Sequence, residues 1–141
     1  QGKWIGEQMA EGFVRRRPGE VQIASMRFHG LMDRDHQTAL NAADERHGAY
    51  GTNAMHFWGW TDFAEAARAC VLAIEVDFGG HEAFFINSED TSADEPTEEL
   101  IKKVYPEAEI RSPMPGHTSA ISVQKAKRIL GWEPKVTWRD A

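Results

Sequence analysis

Lys3, His29, Trp60, Asp62 and His117 are residues whose types and neighbours suit chemistry. A helical lysine is by itself most often a solvated charge, and it takes a chemical role only through the motif around it. A histidine just past a strand can exchange protons near neutral pH or contact a ligand. An aromatic such as Trp60 can stack on a sugar or a base, although aromatics beside a strand more often fill a core. Asp62 can bind a ligand or cap the helix that follows. The six histidines, His29, His36, His47, His56, His81 and His117, show no metal-ligand spacing. No Ser-His-Asp arrangement follows from spacing, and Gly-x-Ser-x-Gly does not occur.

The elements that must position these residues alternate between helix and strand. Ile5, Met9 and Phe13 recur every fourth residue, with Trp4 and Val14 widening the stripe, which predicts a helix over Lys3–Arg17 ended by Pro18-Gly19. Val21–Phe28 is apolar on both faces, as in a strand of a parallel sheet. Residues 29–56 are polar and weakly periodic, with a short helix expected around Thr38–Arg46, and suit a binding segment. Phe57–Trp60 is expected as a short aromatic strand. Thr61 or Asp62 then caps a helix reaching Val76, with Glu65 completing a capping box. On that helix Ala66, Ala69, Cys70 and Ala73 share a packing face, so Cys70, the single cysteine, is expected to be buried. Glu82–Ile86 is the next strand. Thr97 is expected to cap a helix over Glu98–Val104, and Ser122 one over Val123–Leu130 that stops at Gly131.

Composition narrows the function. The 141 residues suffice for one modest domain, and 41% apolar with 27% charged residues is ordinary for a soluble globular protein. A formal net charge of −6 disfavours nucleic-acid binding. No apolar run approaches the roughly 20 residues of a bilayer-spanning helix. One cysteine allows no internal disulfide, and a cytoplasmic setting is expected.

Three segments resemble one family. Ser122-x-x-Lys125-Ala126-x-x-x-Leu130-Gly131-Trp132-x-Pro134 resembles a string near the end of nucleotide-sugar epimerases and dehydratases, with Ser in place of Asp. Trp58-Gly59-Trp60-Thr61-Asp62-x-x-Glu65-x-Ala67-x-Ala69 is similar to the same family's segment at the edge of the substrate site. Lys3 and Gly6-Glu7 match the end of its Tyr-x-x-x-Lys motif, followed by Arg27-Phe28 at the end of the next strand. Gly30 stands where the family has Asn, and the Gly-Pro pair that follows there is lacking, so the substrate is less defined than the family.

The chain thus resembles the carboxyl-terminal half of an extended short-chain dehydrogenase/reductase of the NAD-dependent epimerase/dehydratase type. The resemblance implies an α/β fold: the C-terminal part of a Rossmann-like doubly wound parallel sheet plus a small substrate-binding lobe. Residues 1–32 would end the core and residues 33–141 would form the lobe with returning core elements. It implies Lys3 as the motif lysine, with Lys3, Phe28, His29 and Gly30 beside NAD or NADP. It places His29, Leu31, Trp60, Asp62 and His117 toward a sugar or nucleotide-sugar. It also implies a homodimer through the first helix. The motif tyrosine and a glycine-rich phosphate loop are not in this sequence, so these residues alone are expected to be inactive, with the cofactor held mainly by the other half. The alternative is a non-catalytic Rossmann-like binding module.

Overall fold

The structure, a computed structural model, describes residues 1–36 and 52–140. The helix expected at Thr38–Arg46 lies outside them, as does His47. Helix α1 (Gly2–Arg16) leads to β1 (Gln22–Phe28), and β2 is the two-residue Leu31–Met32. After α2 (Thr52–Met55) come β3 (Thr61–Asp62), α3 (Phe63–Glu75) and β4 (Gly80–Ile86). Helices α4 (Thr97–Val104) and α5 (Gln124–Leu130) follow, and a 3-10 turn spans Trp138–Asp140.

The fold is mixed α/β around a parallel pair. β1 and β4 run in register from Gln22 opposite Gly80 to Phe28 opposite Ile86. Such a pair needs a long crossover, and α3 lies within it. Side chains alternate across the pair. Ala24, Met26, Phe28, Phe84 and Ile86 face α3 and α5, where Ala69, Ala73, Ala126, Leu130 and Trp132 close the main core. Ser25, Arg27 and His81 face α1 instead: Ser25 Oγ meets His81 Nε2, Arg27 donates to Glu7, and His81 Nδ1 lies 3.4 Å from Glu11. Helices therefore cover both faces. A second cluster joins Ala54, Trp58, Ala93, Leu100 and Ile101.

Several caps and faces differ from expectation. Asp62 caps α3 through Oδ1, which accepts from the N–H groups of Ala64 (2.8 Å) and Glu65 (3.2 Å). The Glu65 carboxylate makes no reciprocal box. It accepts from Arg68 and from the Lys135 N–H instead. α4 begins at Thr97 itself, whose hydroxyl donates to the Thr118 carbonyl, and Ser122 Oγ meets only the Gln124 N–H, at 3.4 Å. Gly131 ends α5 in the left-handed region, and Trp132 folds back fully buried, its Nε1 donating to the Glu65 carbonyl.

Cys70 is exposed, contrary to the sequence reading. Ala66, Ala69 and Ala73 turn to the sheet, and the neighbouring surface of α3 carries Val71 and Ile74 outward with Cys70. The helix uses its smallest residues where the backbones must approach.

Phe57–Trp60 is not a strand. Phe57 and Trp58 both take left-handed backbone, at φ 52° and 53°, an uncommon state for bulky residues. The resulting tight turn drops Trp58 and Trp60 into the interior with no exposure. Gly59 fits between them because it lacks a side chain. A Cβ there would lie 2.7 Å from both Asn87 Oδ1 and Ile121 Cδ1. Gly59→Ala is expected to lower stability by about 1–3 kcal/mol, the usual cost of overpacking. Urea unfolding measures it, and an unchanged midpoint contradicts the packing described.

Candidate functional site

A cavity of about 890 Å³ opens between the amino-terminal half of α1 and the carboxyl end of β1. Lys3, Gly6 and Glu7 form its α1 wall, and the β1 wall runs continuously from Ser25 through Leu31. Phe85 and His56 complete it. The end of the β1–β4 pair is fastened by Thr61, whose hydroxyl donates to the Ile86 carbonyl (2.8 Å) and accepts from the His29 N–H (3.3 Å). One buried hydroxyl thus ties both strand ends to β3, and β2 pairs with β3 beside it. Gly30 makes the bend with φ 42°, and a Cβ there would come 3.2 Å from the Gly59 carbonyl. That close approach is a physical reason for glycine where the resembling family has asparagine.

The charges are unevenly matched. Glu7 accepts two bonds from Arg27, Nε at 2.8 Å and Nη2 at 2.6 Å, and the Arg27 guanidinium also lies over the Phe85 ring. The guanidinium holds the Glu7 carboxyl below its ordinary range. Among the described residues Glu7 is the one carboxylate in the cavity wall, and Arg27 neutralises it. Lys3 has no ion pair or hydrogen bond among the described residues. Its charge reaches His29.

His29 is the histidine of the site whose titration is shifted. Burial lowers its pKa, and the neighbouring His56 and Lys3 lower it further. Its ring stands 6.3 Å from His56 and 5.9 Å from Phe85, centre to centre. Its Nδ1 is buried without a hydrogen-bond partner. An unpartnered N–H costs more to bury than an unpartnered lone pair, so the neutral ring keeps its proton on Nε2. The ring is therefore a neutral donor at pH 7.

Five of the residues named from the sequence, Lys3, Phe28, His29, Gly30 and Leu31, line this one cavity. Three do not line it. Trp60 is buried with its Nε1 donating to Asp90 at 3.0 Å, and Asp62 is occupied as the α3 cap. His117 sits on the loop before α5, its Nδ1 3.3 Å from the Glu95 carbonyl. The sequence reading did not single out His56, Arg27 or Ser25 for this place. His56 falls 27 positions after His29, and no spacing rule joins a strand end to a turn. Among the described residues no group of three or more His, Cys, Asp or Glu is placed to hold a metal, and no helix is long and apolar enough to cross a membrane.

Comparison with protein-family models, with curated proteins and with solved structures finds no match to the chain.

The lowered His29 pKa has a sign that can be tested. The unfolded histidine binds a proton near pH 6.5 while the folded one does not yet do so, so stability falls as pH drops through about 6.5 and levels below the folded pKa. Glu7 acts in a separate window: its contribution is present above its ordinary pKa of 4.5 and is lost as pH falls through the lower folded value. Urea unfolding between pH 7.5 and 5.5 is expected to show the loss in the native chain and to flatten in His29→Gln. Equal slopes in the two proteins contradict the assignment.

Proposed function

We propose that these residues form the cofactor- and substrate-side half of an NAD(P)-dependent epimerase, dehydratase or dehydrogenase of the extended short-chain dehydrogenase/reductase type, acting on a sugar or nucleotide-sugar. The observation that carries this reading is the meeting of Lys3 with Phe28, His29, Gly30 and Leu31 around one cavity. The resemblance drew them from two separate segments, and their spacing alone does not bring them together. The cavity also lies at the carboxyl end of a parallel strand with helices on both faces, where doubly wound sheets take their ligands.

The residues fit the nicotinamide end of such a cofactor. A cavity near 890 Å³ is of ligand size. Lys3 has no competing acceptor among the described residues, so its ammonium is available to a ribose hydroxyl and, through its charge, to the phenol of the motif tyrosine. When bound, the nicotinamide supplies hydride transfer. The chain's own share is to orient that ring, to exclude water with Leu31 and Phe85, and to offer the neutral His29 as a donor to a substrate oxygen. The Arg27–Glu7 pair fixes α1 to β1 and so sets the height of Lys3 above the strand end.

Helix α1 supports the homodimer in the same proposal. Its half-buried side is Glu7, Ala10, Glu11 and Val14, while Trp4, Ile5, Met9 and Phe13 stand 49–70% exposed. An apolar stripe turned from its own sheet suits a partner helix.

The decisive test uses the protein translated from the whole reading frame that contains these residues. It is expected to bind NAD(H) or NADP(H) in fluorescence titration, and Lys3→Met is expected to cut turnover about a hundredfold or more. Failure to bind either nucleotide overturns the reading. Met9→Glu with Phe13→Glu is expected to halve the mass measured by sedimentation, and a monomeric native protein refutes the dimer.

A further inference from the structure

Deeper along the same face of the sheet stand three side chains with no part in the reading above. Ser25 Oγ on β1 is 2.8 Å from Nε2 of His81 on β4, and His81 Nδ1 is 3.4 Å from Oε2 of Glu11 on α1. Ser25 lies in the cavity wall, whereas the His81 side chain is only 9% exposed and sits behind it. Glu11 is steadied by Arg15, whose Nε donates to its other oxygen at 3.0 Å. Three elements that meet only in the folded chain thus supply a hydroxyl, an imidazole and a carboxylate in contact order.

The protons follow from the chemistry of the acceptors. An ionised carboxylate can only accept, so a proton on His81 Nδ1 would face Glu11 across the 3.4 Å contact. In that tautomer Nε2 is a lone pair placed to accept the Ser25 O–H at 2.8 Å. This is the arrangement in which a serine hydroxyl can lose its proton as it attacks, with the base held in the right tautomer by a third group. Arg27, two residues along the same face of β1, spends two of its five N–H donors on Glu7 and keeps the rest for a negative oxygen in the cavity. Phe85, paired with Arg27 across the strands, gives this face an apolar side chain.

We propose that Ser25, His81 and Glu11 form a nucleophile, base and orienting carboxylate that hydrolyse small carboxylic esters entering this cavity. Ser25 Oγ bonds to the acyl carbon as its proton passes to His81 Nε2. The bond from acyl carbon to the leaving oxygen breaks, and the departing alcohol takes that proton. Water then adds to the acyl-Ser25, again giving a proton to His81. The acid leaves as the Ser25 oxygen regains its hydrogen. Nothing is oxidised or reduced. Ser25 and His81 are the catalytic residues, and Glu11 is a positioning residue.

The test uses the protein translated from the whole reading frame with no nucleotide added, and its readouts need no nucleotide, so its failure is distinguishable from failure of the dehydrogenase reading. A fluorophosphonate probe should form a P–O bond at Ser25, fluoride leaving and the hydroxyl proton passing to His81. Peptide mass spectrometry should find the adduct at Ser25, absent in Ser25→Ala and at least tenfold slower in His81→Gln. Hydrolysis of p-nitrophenyl acetate should fall to background in Ser25→Ala. Glu11→Gln should shift the pH midpoint of that hydrolysis, and Glu11→Asp should restore part of it. Ser25→Cys in a Cys70→Ser background should react with iodoacetamide at pH 6 faster than a free thiol, because the imidazole draws off its proton. An unlabelled Ser25 in folded native protein, or labelling as fast in His81→Gln, overturns the proposal.

Discussion

The parallel pairing of β1 with β4 is the constraint on which the rest depends. Seven residues of each strand are held in one register. A shift by one residue would exchange the two faces of the strand. Arg27 would leave Glu7 for the alanines of α3, and Met26 would take its place under α1. The core and the cavity are thus two sides of one alignment. The crossover length also follows from it, since strands paired in parallel cannot be joined by a tight turn.

Where the sequence was legible, a single periodicity decided the outcome. The stripes and stop signals bounding α1, α3 and α5 placed those helices within a residue or two, because Pro18-Gly19 and Gly131 act locally. β1 and β4 were readable from apolar runs, and Trp132 folds inward as its string suggested. The failures share a cause. Phe57–Trp60 carries aromatic residues that favour strands, but burying two indoles around Gly59 overrode that preference with a left-handed turn. Cys70 lies beside the alanine face of α3, and which neighbour turns inward depends on how closely the sheet approaches.

The site was half legible. Lys3 and residues 28–31 could be named because a strand end and a helix start are local features. His56, and the contact of His81 with Ser25, depend on pairing across more than 25 positions, which leaves no trace in spacing. The α1 stripe was also visible, but its direction was not. An amphipathic helix normally turns its apolar side to its own core, and here Glu7 and Glu11 occupy that side because Arg27 and His81 receive them.

Thr61 gives the molecule a mechanical link between interior and cavity. Its hydroxyl holds the Ile86 carbonyl with one bond and the His29 amide with another. A buried amide exchanges its hydrogen with solvent only when its bond opens. The His29 amide is held by a bond to β3 rather than by a group lining the cavity. One oxygen atom therefore bonds both the amide at the cavity edge and the carbonyl at the end of β4.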